Sequence, residues 1–258
     1  MEKLNFLIEY LLQERKEKLN IEVLSIEDRK RLFRSLCNIR EPKEINSDFL
    51  KIQDEYLQEE LKQKGIVENI ENSRVQDKIY LWKGDITRLK IETIVNAANS
   101  AGLGCFIPCH KCIDNSIHSA SGIQLRLECN EEMQDIKKLQ TGQAFITKAY
   151  NLPSKYVIHT VGPIIYEKVT DKEINELKNC YLNSLELAKE KNIKEIAFCC
   201  ISTGEFRFPK DRASKIAIKT MKDYLKQKDY FEKIVFNVFT DEDYNIYLKN
   251  LGDEYGKL

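Results

Sequence analysis

Three thiols and one imidazole crowd the segment Gly104-Cys105-Phe106-Ile107-Pro108-Cys109-His110-Lys111-Cys112. Thiolate with imidazole is a donor set suited to Zn2+. In the spacing Cys-x4-His-x-Cys, residues Cys105, His110 and Cys112 give three ligands from one loop. A fourth tetrahedral position is then left for water or substrate, the arrangement of a catalytic metal. Cys109 offers a second reading. As a fourth ligand it would close the site and make it structural, although it adjoins His110 and adjacent residues tend to point apart. A third reading is a loop of apolar cysteines with no metal. The run Pro108-Cys109-His110-Lys111-Cys112 also matches half of the zinc nucleobase deaminase signature, but that chemistry needs an upstream His-x-Glu. The histidines are His110, His118 and His159, so none precedes the cluster and the deaminase reading fails. A Cys–His protease is not indicated, since no single cysteine stands out as a nucleophile.

The flanking residues supply polar groups that could act beside such a loop. Ile94-Val95-Asn96-Ala97-Ala98-Asn99-Ser100 is an apolar run ending in amides, and Asn99 can both donate to and accept from a sugar hydroxyl. After the cluster, Asp114 or Asn115 stands where a helix would begin. Asp114 is either an N-cap, worth about 1 kcal/mol, or the group that orients a water or ribose hydroxyl; its neighbours favour the second. Ser202-Thr203-Gly204-Glu205-Phe206-Arg207-Phe208-Pro209 puts small hydroxyl residues and a glycine ahead of a helix, a nest of N–H groups for an anion such as a diphosphate. Phe206 would cover a ribose or pack on the loop. In Gly84-Asp85-Ile86 the acid could accept from an adenine amine or a ribose hydroxyl; a turn aspartate is the alternative.

These loops need a frame, and the pattern from Lys78 onward supplies one. Ile79–Trp82, Thr93–Ala97, Gln143–Thr147, Tyr156–Val161, Glu195–Ile201 and Ile234–Phe239 read as strands, several of them near-continuous apolar runs suited to burial on both faces. Asn115–Cys129, Asp171–Lys191, Lys210–Lys226 and Asp241–Leu251 read as helices. The alternation predicts an α/β sheet between helical layers, with ligands beyond the strand carboxyl ends. Before residue 78 the chain is rich in Lys, Glu, Leu and Ile and holds a single glycine, Gly65. Leu4, Leu7, Ile8 and Leu11 repeat at helical spacing, Ser25-Ile26-Glu27-Asp28 resembles a capping box, and Phe49, Ile52, Tyr56 and Leu57 mark a third helix with Gly65 as its stop. Val67–Asp77 reads as a polar linker. The division expected is a helical extension over 1–72 and an α/β domain over 73–258.

Composition narrows the functional classes. The 258 residues carry 41 basic and 41 acidic side chains, so general nucleic-acid binding through a basic face is not expected. No apolar run reaches the roughly 18–20 residues of a membrane span. The N-terminus has Glu2 and an apolar stretch broken by Glu9, unlike a signal peptide. A cytoplasmic location is expected, in which eight cysteines point to metal binding or packing rather than disulfides.

Together, Gly84-Asp85-Ile86-Thr87, Ile94–Ser100, Ile113-Asp114-Asn115-Ser116-Ile117-His118, His159-Thr160-Val161-Gly162-Pro163 and Ser202-Thr203-Gly204 resemble, in order, the motifs of the macrodomain family of ADP-ribose-binding modules, over about residues 78–251. The Cys105–Cys112 loop replaces the glycine-rich run of the family's hydrolases and looks like the zinc-dependent macrodomains, which also carry a helical N-terminal extension. The resemblance implies a three-layer α/β/α macrodomain with a mixed central sheet and a cleft for ADP-ribose. It implies that Asp85 and Ile86 hold the adenine. Ser202, Thr203, Gly204, Glu205 and Phe206 would wrap the diphosphate and distal ribose. Asn99 and Asp114 take the distal-ribose and catalytic positions, and Cys105, His110 and Cys112 bind Zn2+; Cys109 is outside that ligand set. Glu205 and Arg207 depart from a loop that is more neutral in many macrodomains. The activity implied is removal of ADP-ribose from mono-ADP-ribosylated proteins, with acidic side-chain esters as first choice. A non-hydrolytic reader and an O-acetyl-ADP-ribose deacetylase are the alternatives.

Overall fold

A computed structural model describes residues 1–253. Seven strands form one mixed sheet: β1 (Arg74–Gln76), β2 (Ile79–Lys83), β3 (Thr93–Ala97), β4 (Ala144–Lys148), β5 (Tyr156–Thr160), β6 (Glu195–Phe198) and β7 (Lys233–Val238). Their order is β1-β2-β7-β6-β3-β5-β4. The five inner strands run parallel, while β1 and β4 pair antiparallel at the edges. The inner strands are buried on both faces, as their unbroken apolar runs require: Ile94, Val95, Ile196, Ala197, Ile234 and Val235 show no exposed surface. From β3 the chain first builds β4 and β5 on one side, then crosses to β6 and β7 on the other. The carboxyl ends of β3 and β6 therefore flank the point where strand order reverses, where a crevice opens in sheets of this kind.

Helices cover both faces. α6 (Asp171–Glu190), α7 (Lys210–Gln227) and α8 (Asp241–Asp253) pack side by side, α6 touching β4 and β5 and α8 touching β2. α4 (Ile113–Ser121) lies on β3, α5 (Ile123–Glu132) on β4. Three further helices precede the sheet: α1 (Glu2–Glu14), α2 (Ile26–Ile39) and α3 (Ser47–Lys64). They start and stop where their caps dictate, with the Ser25 hydroxyl accepting from the Asp28 N–H and Gly65 leaving α3 at φ +81°. Leu7, Ile8, Leu11, Phe33, Leu36 and Phe49 form their own apolar cluster, which Ile123 of α5 joins. Among the described residues no helix is long and apolar enough to cross a membrane. Residues 254–258 of the expected second segment lie outside the described residues.

Three expectations are corrected. The single helix expected over Asn115–Cys129 is two, α4 and α5, broken at Gly122 (φ +97°). The break makes room for Gln53 of α3: its Oε1 accepts the freed Ile123 N–H at 3.0 Å, and a Cβ on Gly122 would lie 2.6 Å from its Nε2. The polar stretch Val67–Asp77 is structured. It supplies β1, whose polar residues are those of an edge strand, and Val67 pairs with Leu89. The strand expected over Glu195–Ile201 ends at Phe198, after which the backbone turns to present Ser202.

Gln53→Leu keeps the volume but strands the Ile123 N–H in a buried place. It should cost roughly 1–3 kcal/mol, read from the midpoint of a denaturant melt. An unchanged midpoint would show that the break at Gly122 does not depend on α3.

Candidate active site

The carboxyl ends of β2, β3, β6 and β7 open into a cleft of about 1250 Å³, with α2 and α3 forming part of its opposite wall. Asp85, Asn99, Cys112, Asp114, Thr203 and Phe206 all line it. The volume exceeds the roughly 300–1,000 Å³ of a typical small-ligand pocket and suits an extended ligand.

Asp114 sits on the first turn of α4, so it is not the cap. The cap is Cys112, whose thiol accepts from the Asn115 N–H at 3.4 Å. Asp114 is only 4% exposed. Burial pushes its carboxyl up to about 6, opposed by hydrogen bonds from Asn96 and Asn99 and by the charge of Arg126. Asn96 Nδ2 donates to Asp114 Oδ1 at 2.7 Å and also faces His159 Nδ1 at 3.1 Å. A carboxylate only accepts, which fixes the Asn96 amide with its nitrogen toward Asp114. His159 Nδ1 must then accept, leaving Nε2–H to donate to Thr147 Oγ1 at 3.0 Å. Burial keeps His159 neutral, with its pKa lowered to about 3. The buried trio His118, Cys129 and His159 brings one ligand atom each within 4.8 Å of the others. Both His159 nitrogens are engaged in hydrogen bonds, whereas neither buried His118 nitrogen has a hydrogen-bond partner, its Nε2 lying 3.6 Å from Asp114 Oδ1.

Asn99 closes the turn after β3. Its Oδ1 accepts from the Ala101 N–H at 2.9 Å, and its Nδ2 donates to Gly104 O at 3.0 Å and to Asp114 Oδ2 at 3.3 Å. A sugar hydroxyl would reach this amide by sharing or replacing the longer bond. Gly104 is required here: at φ +81°, a Cβ would lie 2.7 Å from the His118 ring.

The loop that follows brings Cys105 Sγ, His110 and Cys112 Sγ within 4.8 Å of one another. Cys105 Sγ lies 3.7 Å from His110 Nδ1, close to the edge of about 3.6 Å between sulfur and nitrogen on a tetrahedral zinc with bonds of roughly 2.3 and 2.0–2.1 Å. Burial raises the Cys112 thiol, and the neighbouring Cys105 and Asp114 raise it further. Zn2+ takes thiolate and imidazole ligands and would displace the thiol protons, so the donor set fits it. His110 Nε2, the other ring nitrogen, points across the cleft toward Glu205 Oε1 at 3.6 Å. Cys109 is turned the other way. Its φ of +51° costs a non-glycine residue roughly 1–2 kcal/mol, and its thiol points at the Arg31 carbonyl of α2, 3.3 Å away.

On the far side, Ser202 (φ +65°) and Arg207 (φ +58°) fold residues 202–208 into consecutive turns, with Arg207 N–H on Gly204 O and Phe208 N–H on Ser202 O, both 2.9 Å. The Ser202 hydroxyl is buried without a protein partner, and nothing lies within 4 Å of a Cβ built on Gly204. Thr203 donates its hydroxyl to Cys200 O at 3.1 Å. Phe206 packs partly against the main core, so its ring supports the loop. Asp85 Oδ1 already accepts from Thr87 N–H and Oγ1, at 3.0 and 2.6 Å. The Ile86 side chain is buried in the core, which leaves its backbone to meet a ligand. Asn96, Arg34, Asn38 and Arg126 also shape the site, and sequence reasoning passes over them. Asn96 could have been suspected as an amide inside an apolar strand; the other three come from helices with no local signal.

Residues 95–217 match the Macro domain family. The chain is 48% identical over 250 residues to a protein-ADP-ribose hydrolase of Treponema medium, spanning 95% of this chain and 96% of that one. Its fold is similar to the Oceanobacillus iheyensis macrodomain with ADP, at a TM-score of 0.64 and 36% identity over 72% of this chain and 96% of that one. It is also similar to the Trypanosoma brucei macrodomain in complex with ADP-ribose, at a TM-score of 0.63 and 27% identity over 83% and 94%.

Asn96→Leu leaves Asp114 Oδ1 and His159 Nδ1 without the amide that serves both. The expected loss is roughly 1–3 kcal/mol for each group left unpaired, measured by urea denaturation. A wild-type midpoint would mean that other donors satisfy Asp114.

Proposed function

The chain belongs to the macrodomain family, and on that premise we propose that it is a zinc-dependent protein mono-ADP-ribosyl hydrolase, acting first on esters of acidic side chains. The observation that carries this reading is convergence: a buried carboxylate, an amide and a thiol–imidazole–thiol group meet in one cleft large enough for a dinucleotide-like ligand. Cys105, His110 and Cys112 would hold Zn2+, which when bound supplies Lewis acidity beside the distal ribose.

The chain's own residues do the positioning. Residues 202–206 would cradle the diphosphate with backbone N–H groups, as a nest does. Asp85 and the Ile86 backbone would meet the adenine at the end of β2. Asn99 would hold the distal ribose, and Asp114, through Oδ2 beside the Asn99 amide, would accept the proton of a water or ribose hydroxyl. Asn96 holds Oδ1 from behind, so the carboxylate cannot turn away. Hydrolysis exchanges the bond between the anomeric carbon and the side-chain oxygen for one to water oxygen, releasing free ADP-ribose, a carboxylate and one proton. The ester is already labile, so orientation alone can supply much of the rate, up to roughly 7–11 kcal/mol in favourable cases.

The test is release of ADP-ribose from a glutamate-linked mono-ADP-ribosylated protein. Asp114→Ala should slow release by about 100-fold or more while ADP-ribose still binds by calorimetry. Cys112→Ala should lose bound zinc and turnover together. Binding of ADP-ribose by the unaltered protein with no release would identify a reader instead. Turnover surviving in Asp114→Ala would remove the carboxylate from the mechanism.

A further inference from the structure

The helical N-terminal part reaches into the ligand loop, and its contacts fall on the loop's backbone. Residues Gly104–Cys112 have no regular secondary structure, so their N–H and C=O groups need partners from elsewhere. Helix α2 and the start of α4 provide them. Arg34 of α2 donates Nη2 to His110 O at 3.0 Å, and both Nε and Nη2 to Asn115 Oδ1 at 3.1 and 2.6 Å. Asn115, fully buried, donates its Nδ2 to Ile107 O at 2.9 Å. Asn38 of α2, 1% exposed, accepts the Cys109 N–H on Oδ1 at 2.9 Å and donates Nδ2 to Ser119 Oγ at 3.0 Å. Ser119 Oγ in turn donates to Asn115 Oδ1 at 3.3 Å. This chain of polar side chains, Arg34–Asn115–Ser119–Asn38, grips the backbone of Ile107, Cys109 and His110, just ahead of Cys112.

A second tie comes from α5. The buried Arg126 donates to Leu103 O and Cys105 O on the loop and to Cys37 O, Asn38 O and Arg40 O at the end of α2. Its guanidinium also lies 4.1 Å from the Phe106 ring centre. One cation thus joins the first half of the loop to the helix that holds the second half. Cys109 takes a left-handed backbone conformation with its N–H held by Asn38 and its thiol turned to Arg31 O.

We propose that Arg34 and Asn38 are positioning residues of the metal site, and that α2 sets the separation of Cys105, His110 and Cys112. The planar fork of Arg34 reaches an amide oxygen and a carbonyl at once, which the point donor of a lysine cannot reproduce. This inference rests on the zinc reading of the cleft, and its test keeps the two apart. The variants are Arg34→Ala, Arg34→Lys, Asn38→Ala and the Arg34→Ala/Asn38→Ala pair in the full chain. Zinc affinity is read by competition with a coloured chelator, loop order by amide exchange over residues 104–112 in the metal-free protein, and the nucleotide end of the cleft by ADP-ribose binding.

The expected result is zinc affinity weaker by about 10–100-fold in the pair, the range for groups that orient metal ligands. Arg34→Lys should fall with Arg34→Ala. Exchange should speed up in the loop, with ADP-ribose binding retained and unfolding still cooperative. Wild-type zinc affinity and wild-type exchange in the pair would overturn the proposal. So would joint loss of zinc, ADP-ribose binding and cooperative unfolding, which would make α2 a general brace. If the unaltered protein takes up no zinc, the metal reading fails, and the exchange comparison alone decides whether α2 orders the loop.

Discussion

Unpaired backbone groups next to a buried carboxylate are the constraint on which this site turns. The segment between β3 and α4 must leave the sheet, expose two thiols and an imidazole to one point, and return as a helix whose first turn carries Asp114. No regular hydrogen-bond ladder is available along the way. The chain meets the need with side chains from three helices, chiefly Arg34, Asn38, Asn115 and Arg126. Burying Arg126 among carbonyls is tolerable because they satisfy its guanidinium hydrogens and Asp114 offers opposite charge. The helical N-terminal part is thus tied to the ligand loop directly, besides having an apolar cluster of its own.

The same logic runs beneath the loop. Asp114 is kept out of water, which favours its protonated form, yet Asn96 and Asn99 both donate to it and favour the carboxylate. Asn96 is itself held by a neutral histidine, and that histidine by Thr147. Each member fixes the orientation of the next, so the Asp114 carboxylate is aimed from inside the sheet. The loop of residues 202–208 is built differently, from turns with left-handed residues at Ser202 and Arg207 and an open Gly204. Across the cleft Glu205 and His110 face each other, so the two loops come together over the site.

Much of the frame was legible because the inner strands are buried on both faces and the caps at Ser25 and Gly65 are local signals. The gathering of Cys105, His110 and Cys112 was legible from spacing. Cys109 was not, since only the docking of α2 decides which way its thiol turns. The break at Gly122 was hidden for a similar reason: a glycine inside a helical pattern reads as a tolerated weak point until Gln53 arrives from α3. Strand β1 escaped notice because an edge strand of polar residues has the composition of a linker. The cap of α4 was not legible either, because a cysteine rather than an aspartate or asparagine fills that position.

Hydrolysis is proposed to depend on a metal held by Cys105, His110 and Cys112. The most direct measurement strips the protein with a chelator, then follows ADP-ribose release from a glutamate-linked mono-ADP-ribosylated protein before and after one equivalent of zinc is returned. Release is expected to stop on stripping and to recover with zinc, with ADP-ribose still bound throughout. Undiminished release by the stripped protein would contradict it and leave Asn99 and Asp114 to act without a metal.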